Sequence, residues 1–363
     1  MSDASAKVVA PVEVSLSEFG SLKLWLAAAT SALGGFLFGY DWVVIGGAKP
    51  FYEAYFGITQ PQAQAWVMSC ALVGCLLGAV GSGPLSEWLG RRRTLLISAL
   101  AFAASALGTG SAQTLLEFIS WRIAGGVAIG MASVLSPVYI AEVAPAQIRG
   151  KLVCLNELTI VLGILAAQIV NWLIAEPIPA SAILLDLQSS WNGQSGWRRM
   201  FAAAVVPAII FLIGLLFIPE TPRWLARKGR WDRAQAVLAS LGGSTYAAEV
   251  VSQMRLTFAA VAQDEAAGGV GNTRIKPVLI LGITLAVLQQ WCGINVIFNY
   301  AQEVFSAAGY ALSGILFNIV ITGITMCVFT FVAIATVERL GRRALMLFGC
   351  GSLSLIYVLI GCF

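Results

Sequence analysis

Long apolar runs of about 18 to 25 residues recur along the chain, separated by short charged pieces, and that length matches a helix crossing a bilayer. Strict alternation of apolar and polar positions is absent, so the pattern predicts helices and not the strands of a barrel. Nine spans are expected, at roughly 23–46, 65–85, 94–112, 117–140, 152–175, 200–218, 277–305, 311–336 and 344–363. One long polar interval, 219–276, interrupts them; it carries Pro219, Pro222, Gly229, Gly242, Gly243 and a glycine-rich run at 268–271. The predicted architecture is an all-α membrane protein. A cytoplasmic tail (1–22) leads into a complete six-helix bundle (23–218). An inter-bundle loop with helices (219–276) then precedes the first three helices of a second, incomplete bundle (277–363).

Composition agrees. Of 363 residues, 58% are hydrophobic and 11% charged, with mean hydropathy +0.84, whereas soluble domains carry about a quarter charged residues. The net charge of +4 reflects topology and gives no reason to expect a nucleic-acid partner. The tail together with Lys23 at its junction, and the loops after spans two, four, six and eight, hold 18 of the 22 basic residues; Lys49, Arg198 and Arg199 lie on the other side. That bias puts the amino terminus in the cytoplasm. The polar first 22 residues lack the layout of a cleaved signal peptide. Seven cysteines lie in or beside apolar runs without paired short spacing, and histidine is absent. Neither a disulfide framework nor a metal or other cofactor site is expected, and proton chemistry falls to carboxylates.

Two groups of polar residues stand out inside the apolar runs. The stretch 285–300, LAVLQQWCGINVIFNY, sets Gln289, Gln290, Asn295 and Asn299 in one span. Burying an unanswered amide costs roughly 2 to 7 kcal/mol, so this density calls for a wet cavity, a polar ligand or a neighbouring polar helix. Amides both give and take hydrogen bonds without charge, which suits a neutral polyhydroxyl solute; helix-to-helix glue is the structural alternative. On an ideal helix Gln289 and Asn295 face about 120° apart. A break near Cys292-Gly293 is therefore expected, turning both sets to one side. The second group is Asp41 in span one and Arg122 in span four, opposite charges that answer one another in oil. The pair reads either as a proton-coupling device or as a static fastener between two helices.

The loop Glu87-Trp88-Leu89-Gly90-Arg91-Arg92 after span two recurs as Glu338-Arg339-Leu340-Gly341-Arg342-Arg343 after span eight, the internal repeat typical of secondary transporters. Together with GGFLFGYD (34–41), GPLSEWLGRRR (83–93), the segment 122–152, GWRRMF (196–201), PETPRWL (219–225), QQWCGIN (289–295) and VERLGRR (337–343), it makes the chain resemble the sugar porters of the major facilitator superfamily. The resemblance covers about the first nine of that family's twelve spans.

It implies sugar contacts from Gln289, Gln290, Asn295, Asn299 and Glu157. Glu157 stands where glutamine is usual, and Asn299 where symporters carry tyrosine. Proton coupling is implied for Asp41 with Arg122. A cytoplasmic gate is implied from Glu87, Arg91, Arg92, Glu142, Arg149, Glu220, Arg223, Glu338 and Arg342, in which Trp88 replaces a usual arginine and loses a donor. Arg227, Lys228 and Arg230 read as topology-setting charge. Exposed pairs of this kind contribute only about 0 to 1 kcal/mol each, which suits a latch that must open.

The expected protein is a monomeric multi-pass carrier in the cytoplasmic membrane, moving a neutral monosaccharide or polyol with a proton through the lipid bilayer. A proton-independent sugar facilitator and a non-transporting sugar-binding remnant stay open beside it. An enzyme is not expected, because no phosphate-binding loop, nucleophile elbow or metal-protease motif is present in the sequence.

Overall fold

The computed structural model describes residues 22–177, 184–266, 275–293, 300–307, 309 and 312–362. Helices account for nearly all of them, and no strand occurs among the described residues. The first part of the chain forms α1 (Leu22–Phe56), α2 (Pro61–Leu89), α3 (Arg91–Ser111), α4 (Leu115–Val143) and α5 (Arg149–Ile174). A short α6 (Leu184–Ser189) and a π-turn (Asn192–Gly196) lead into α7 (Trp197–Ala202) and α8 (Val205–Phe217). Then come α9 (Pro222–Arg227), α10 (Trp231–Ala266), α11 (Ile275–Trp291), α12 (Ala301–Ala307), α13 (Leu312–Leu340) and α14 (Arg342–Gly361).

Among the described residues, seven helices have the length and apolarity to cross a membrane: α1 to α5, the Asn192–Phe217 segment and α13. The apolar helices Lys276–Trp291 and Arg343–Leu359, where two further spans are expected, are shorter. The side chains pointing away from the protein are themselves apolar. On α8, Val206, Ile209, Ile210, Ile213 and Leu216 are exposed, while Ala208, Phe211 and Leu215 are buried. Such a surface is stable against hydrocarbon and not against water.

One expectation needs correction. Span one runs ten residues past its expected end, through Lys49 and Pro50, because Phe51, Tyr52 and Ala54 pack into the core and hold the added turns in place. In the seventh span helix α11 stops at Trp291 and Gly293 adopts φ +79°, so the expected break near Cys292-Gly293 is present.

The repeated loop has a backbone reason. Gly90 joins α2 to α3 with φ +100°, and Gly341 joins α13 to α14 with φ +81°, a region that costs L-residues steric strain. Each therefore reverses the chain at the same point of the repeat. At the opposite end, Thr114 and Glu117 form a reciprocal capping box that starts α4.

In lipid there is no hydrophobic force between apolar helices, so association relies on close packing by small residues. Gly39 and Gly163 supply it where α1 crosses α5, with Gly163 against the backbone of Phe36 and Tyr40. A Cβ at 163 would lie 2.9 Å from the Phe36 carbonyl carbon and 3.0 Å from the Tyr40 nitrogen. Gly163→Ala is expected to destabilise by about 1–3 kcal/mol and to lower the midpoint of heat unfolding in detergent. Gly282→Ala, which meets open space, should leave it unchanged or slightly higher.

Candidate functional site

Asp41 lies midway along α1 and Arg122 in the second turn of α4, and the two side chains form a buried ion pair. Asp41 is 8% exposed and Arg122 3%. The guanidinium also lies over the Phe201 ring, 5.4 Å from its centre, as a cation does when attracted by the ring face. Phe201 belongs to an aromatic cluster with Tyr52, Phe56, Phe118 and Trp197, which excludes water from that flank. On the other flank a pocket of about 100 Å³ opens, lined by Phe38, Asp41, Trp42, Met68, Arg122 and Tyr300 among others. Phe38 and Trp42 stack one turn apart, ring centres 6.0 Å and planes 17° from parallel. The pair thus has a dry wall behind it and a void in front. The four-residue spacing of Phe38 and Trp42 beside Asp41 is the sequence signal for this pocket wall.

Of the expected sugar-contacting residues, Gln289 and Gln290 lie in the last turn of α11 and are exposed. Asn295 and Asn299 lie outside the described residues. Glu157 on α5 is also exposed. On the same α5 face Val161 and Ile164 are each 6% exposed and Gln168 is 2%. That face becomes progressively more enclosed with distance from the end where α2 meets α3 and α4 meets α5, called here the basic end. Beyond Gln168, Trp172 of α5 packs on Phe317 of α13 with ring centres 5.9 Å apart.

The end opposite the basic one carries a contact the sequence did not reveal. Lys49 on α1 forms an ion pair with Glu303 on α12 and sits 5.0 Å from the centre of the Tyr300 ring. Lys49 is 4% exposed, so its ammonium depends on these partners. One turn along, Glu53 accepts a hydrogen bond from Gln64 at 3.3 Å.

At the basic end, Arg91 donates to Glu142 at 3.1 Å and Thr221 donates to the other Glu142 oxygen at 2.5 Å. Glu220 accepts the backbone N–H groups of Arg91 and Arg92 at 2.9 and 3.2 Å, capping the amino terminus of α3 and answering its dipole. Burial raises the Glu220 carboxyl above its ordinary range, opposed by the N–H groups of Thr221, Arg92 and Arg91 and by the Arg91 charge. The Arg92 side chain ties to the carbonyls of Leu215 and Leu216 at 2.8 and 2.6 Å.

Arg149 donates to the Ala144 carbonyl at 3.3 Å, and with Glu142 and Arg223 it lines a second pocket against α10. Arg227, expected to be plain topology-setting charge, instead pairs with Glu87, because α9 brings it back over the α2–α3 turn. Trp224 likewise donates to the Glu87 carbonyl at 3.0 Å. Trp88 is 73% exposed. The side chains of Glu338 and Arg342 lie outside the described residues. The described contacts of this end therefore link α2, α3, α4, α8 and α9.

The family model described as "Sugar (and other) transporter" matches residues 27–363. The chain belongs to that family. Among relatives of this sugar transporter family member, a glucose transport protein of Synechocystis sp. is 38% identical, aligned over 89% of this chain and 68% of its own length. A D-xylose-proton symporter of Escherichia coli is 34% identical over 92% of this chain and 70% of its own. Among solved structures, the proton:xylose symporter XylE, of the major facilitator superfamily, bound to 6-bromo-6-deoxy-D-glucose, superposes with a TM-score of 0.76 at 33% identity. That alignment covers 88% of this chain and 70% of XylE. XylE in a partially occluded inward-open conformation gives 0.73, covering 88% and 74%. The fold is thus the major facilitator helical bundle, and the protein is a multi-pass membrane transporter.

Removing one member of a buried pair strands the other charge, typically at about 3–5 kcal/mol, whereas removing both is far milder. Arg122→Leu is expected to lower thermal stability in detergent sharply, and Asp41→Asn combined with Arg122→Leu to recover most of the loss. Additive losses in the double variant would contradict mutual dependence.

Proposed function

We propose that this protein moves a neutral monosaccharide, hexose or pentose, or a polyol across the cytoplasmic membrane in symport with a proton by alternating access. The observation that carries the reading is the Asp41–Arg122 ion pair, buried in an apolar interior with both side chains lining a pocket. In the proposed cycle the pair is made in one arrangement of the helices and broken in the other, and the freed carboxylate carries the proton. One proton is then taken and released per cycle. The names of the relatives, a glucose transport protein and sugar-proton symporters, support the same substrate class and coupling.

In this reading the amino terminus and the basic end are cytoplasmic. Residues 23–218 form one bundle, 277–363 belong to the other, and 219–276 links them on the inside. Gln289, Gln290, Asn295, Asn299 and Glu157 contact the sugar. The carrier works as a monomer surrounded by lipid.

The contacts described above then correspond to a state closed outside and open inside: Lys49–Glu303 fastens α1 to α12 at the outer mouth, while Glu157 faces an open inner vestibule. Glu87, Arg91, Arg92, Glu142, Arg149, Glu220 and Arg223 form one half of the inner gate, and Glu338 and Arg342 the half that meets it when the inner side shuts.

Two outcomes test this. Adding D-xylose or D-glucose to cells making the protein should alkalinise the medium, and Asp41→Asn should abolish that signal; an unchanged proton signal in the variant, or accumulation that survives an uncoupler, would defeat the coupling. At the outer mouth, Lys49→Glu should raise labelling of a cysteine placed at Tyr300 by an impermeant thiol reagent. Lys49→Glu combined with Glu303→Lys should bring labelling back towards the parent level; unchanged labelling in both variants would contradict an outer fastening.

A further inference from the structure

Gln168 is 2% exposed, yet neither its amide oxygen nor its amide nitrogen has a hydrogen-bond partner among the described residues. The side chain lies between α5 and α13 and presses against Gly323, where a Cβ would collide with its oxygen. Leu165 on α5 flanks the same spot, 3.2 Å from such a Cβ. Gly323 thus makes room for the amide and offers it no side chain. Among the described residues no group of α13, side chain or backbone, answers the amide. Neighbouring polar groups do differently: Asn171, one turn on, donates to the Val44 carbonyl at 3.1 Å, and Thr159 donates to the Ala32 carbonyl at 2.6 Å. An amide with two donors and an acceptor unmet in a dry interface is costly to keep unless another state satisfies it.

The position of Gln168 says what that state contains. Eleven residues separate it from Glu157, three helical turns or about 16 Å along one face of α5. Glu157 stands exposed at the basic end of this face and Gln168 is sealed at the other. We infer that Gln168 is a specificity-determining residue that hydrogen-bonds a hydroxyl of the transported sugar when α5 and α13 part. This rests on the transport reading above and extends its binding site to the far end of the α5 face. A sugar hydroxyl donates to the amide oxygen and accepts from its N–H groups, meeting both needs with one partner. Water in the opened interface is the competing occupant.

The test is calorimetric binding to the full chain in detergent, using D-xylose, D-glucose and the single-deoxy derivatives of each. Gln168→Leu should weaken binding of the parent sugar about three- to tenfold, the share of one neutral hydrogen bond. It should leave one deoxy derivative, the one lacking the contacted hydroxyl, bound as in the parent protein. Gln168→Asn, shorter by one methylene, gives the same comparison if the leucine variant does not fold. Equal weakening for every derivative, or no change for any, would overturn the assignment in favour of water or packing. Binding with the expected pattern but without transport in vesicles would overturn the transport reading and leave the Gln168 contact standing; absence of binding to all the sugars would overturn both.

Discussion

A charge cannot stand alone in hydrocarbon, and the arrangement of α1, α4 and their neighbours follows from that constraint. Asp41 and Arg122 are each tolerable only because the other is present. The cation is further steadied by Phe201, whose ring belongs to the aromatic packing that joins α1, α4 and α7. The pair therefore fixes where α1 and α4 meet, while small residues fix how closely α1 and α5 approach. Fastening of this sort is conditional: it holds while both groups are ionised and weakens when the acid takes a proton. In the proposed cycle that conditionality turns a structural contact into a switch.

The described contacts are unequal at the two ends. Opposite the basic end, Lys49 reaches Glu303 and Trp172 packs on Phe317, closing α1 and α5 against α12 and α13. Towards the basic end the α5 face opens until Glu157 is exposed. There the charged residues are occupied within the first part of the chain, with Glu220 on the amino terminus of α3 and Glu142 shared by Arg91 and Thr221. The Arg227–Glu87 pair, exposed on both sides, contributes about 0 to 1 kcal/mol, whereas the Arg91–Glu142 pair is buried and breaking it by removing one partner costs more. A carrier that alternates between two closures has to exchange such contacts for others as it moves.

Much of this was legible in the sequence. Apolar runs marked the spans, and the isolated charges at 41 and 122 marked each other, because an uncompensated charge in oil demands an answer. Cys292-Gly293 announced the break in the seventh span through the incompatible directions of Gln289 and Asn295. What stayed hidden depended on contacts between residues far apart along the chain. Lys49, at the end of an apolar run, reads as an ordinary flanking cation until α12 places Glu303 beside it. Pro50 reads as a helix stop until the burial of Phe51 and Tyr52 outweighs its cost. Arg227 reads as topology until α9 folds it over Glu87. Gln168 gave no signal beyond being one amide in an apolar run, because its unmet state exists only between two packed helices.

Whether the buried acid moves a proton with the sugar can be read as electric charge. In sealed vesicles containing the protein on a solid-supported membrane, a jump to D-xylose or D-glucose with no ion gradient should produce a transient current of positive charge in the direction of sugar entry. Replacing Asp41 with asparagine should silence it. A sugar-evoked current that persists in that variant, or sugar uptake by the parent protein with no current at all, would contradict the coupling proposed for Asp41 and Arg122.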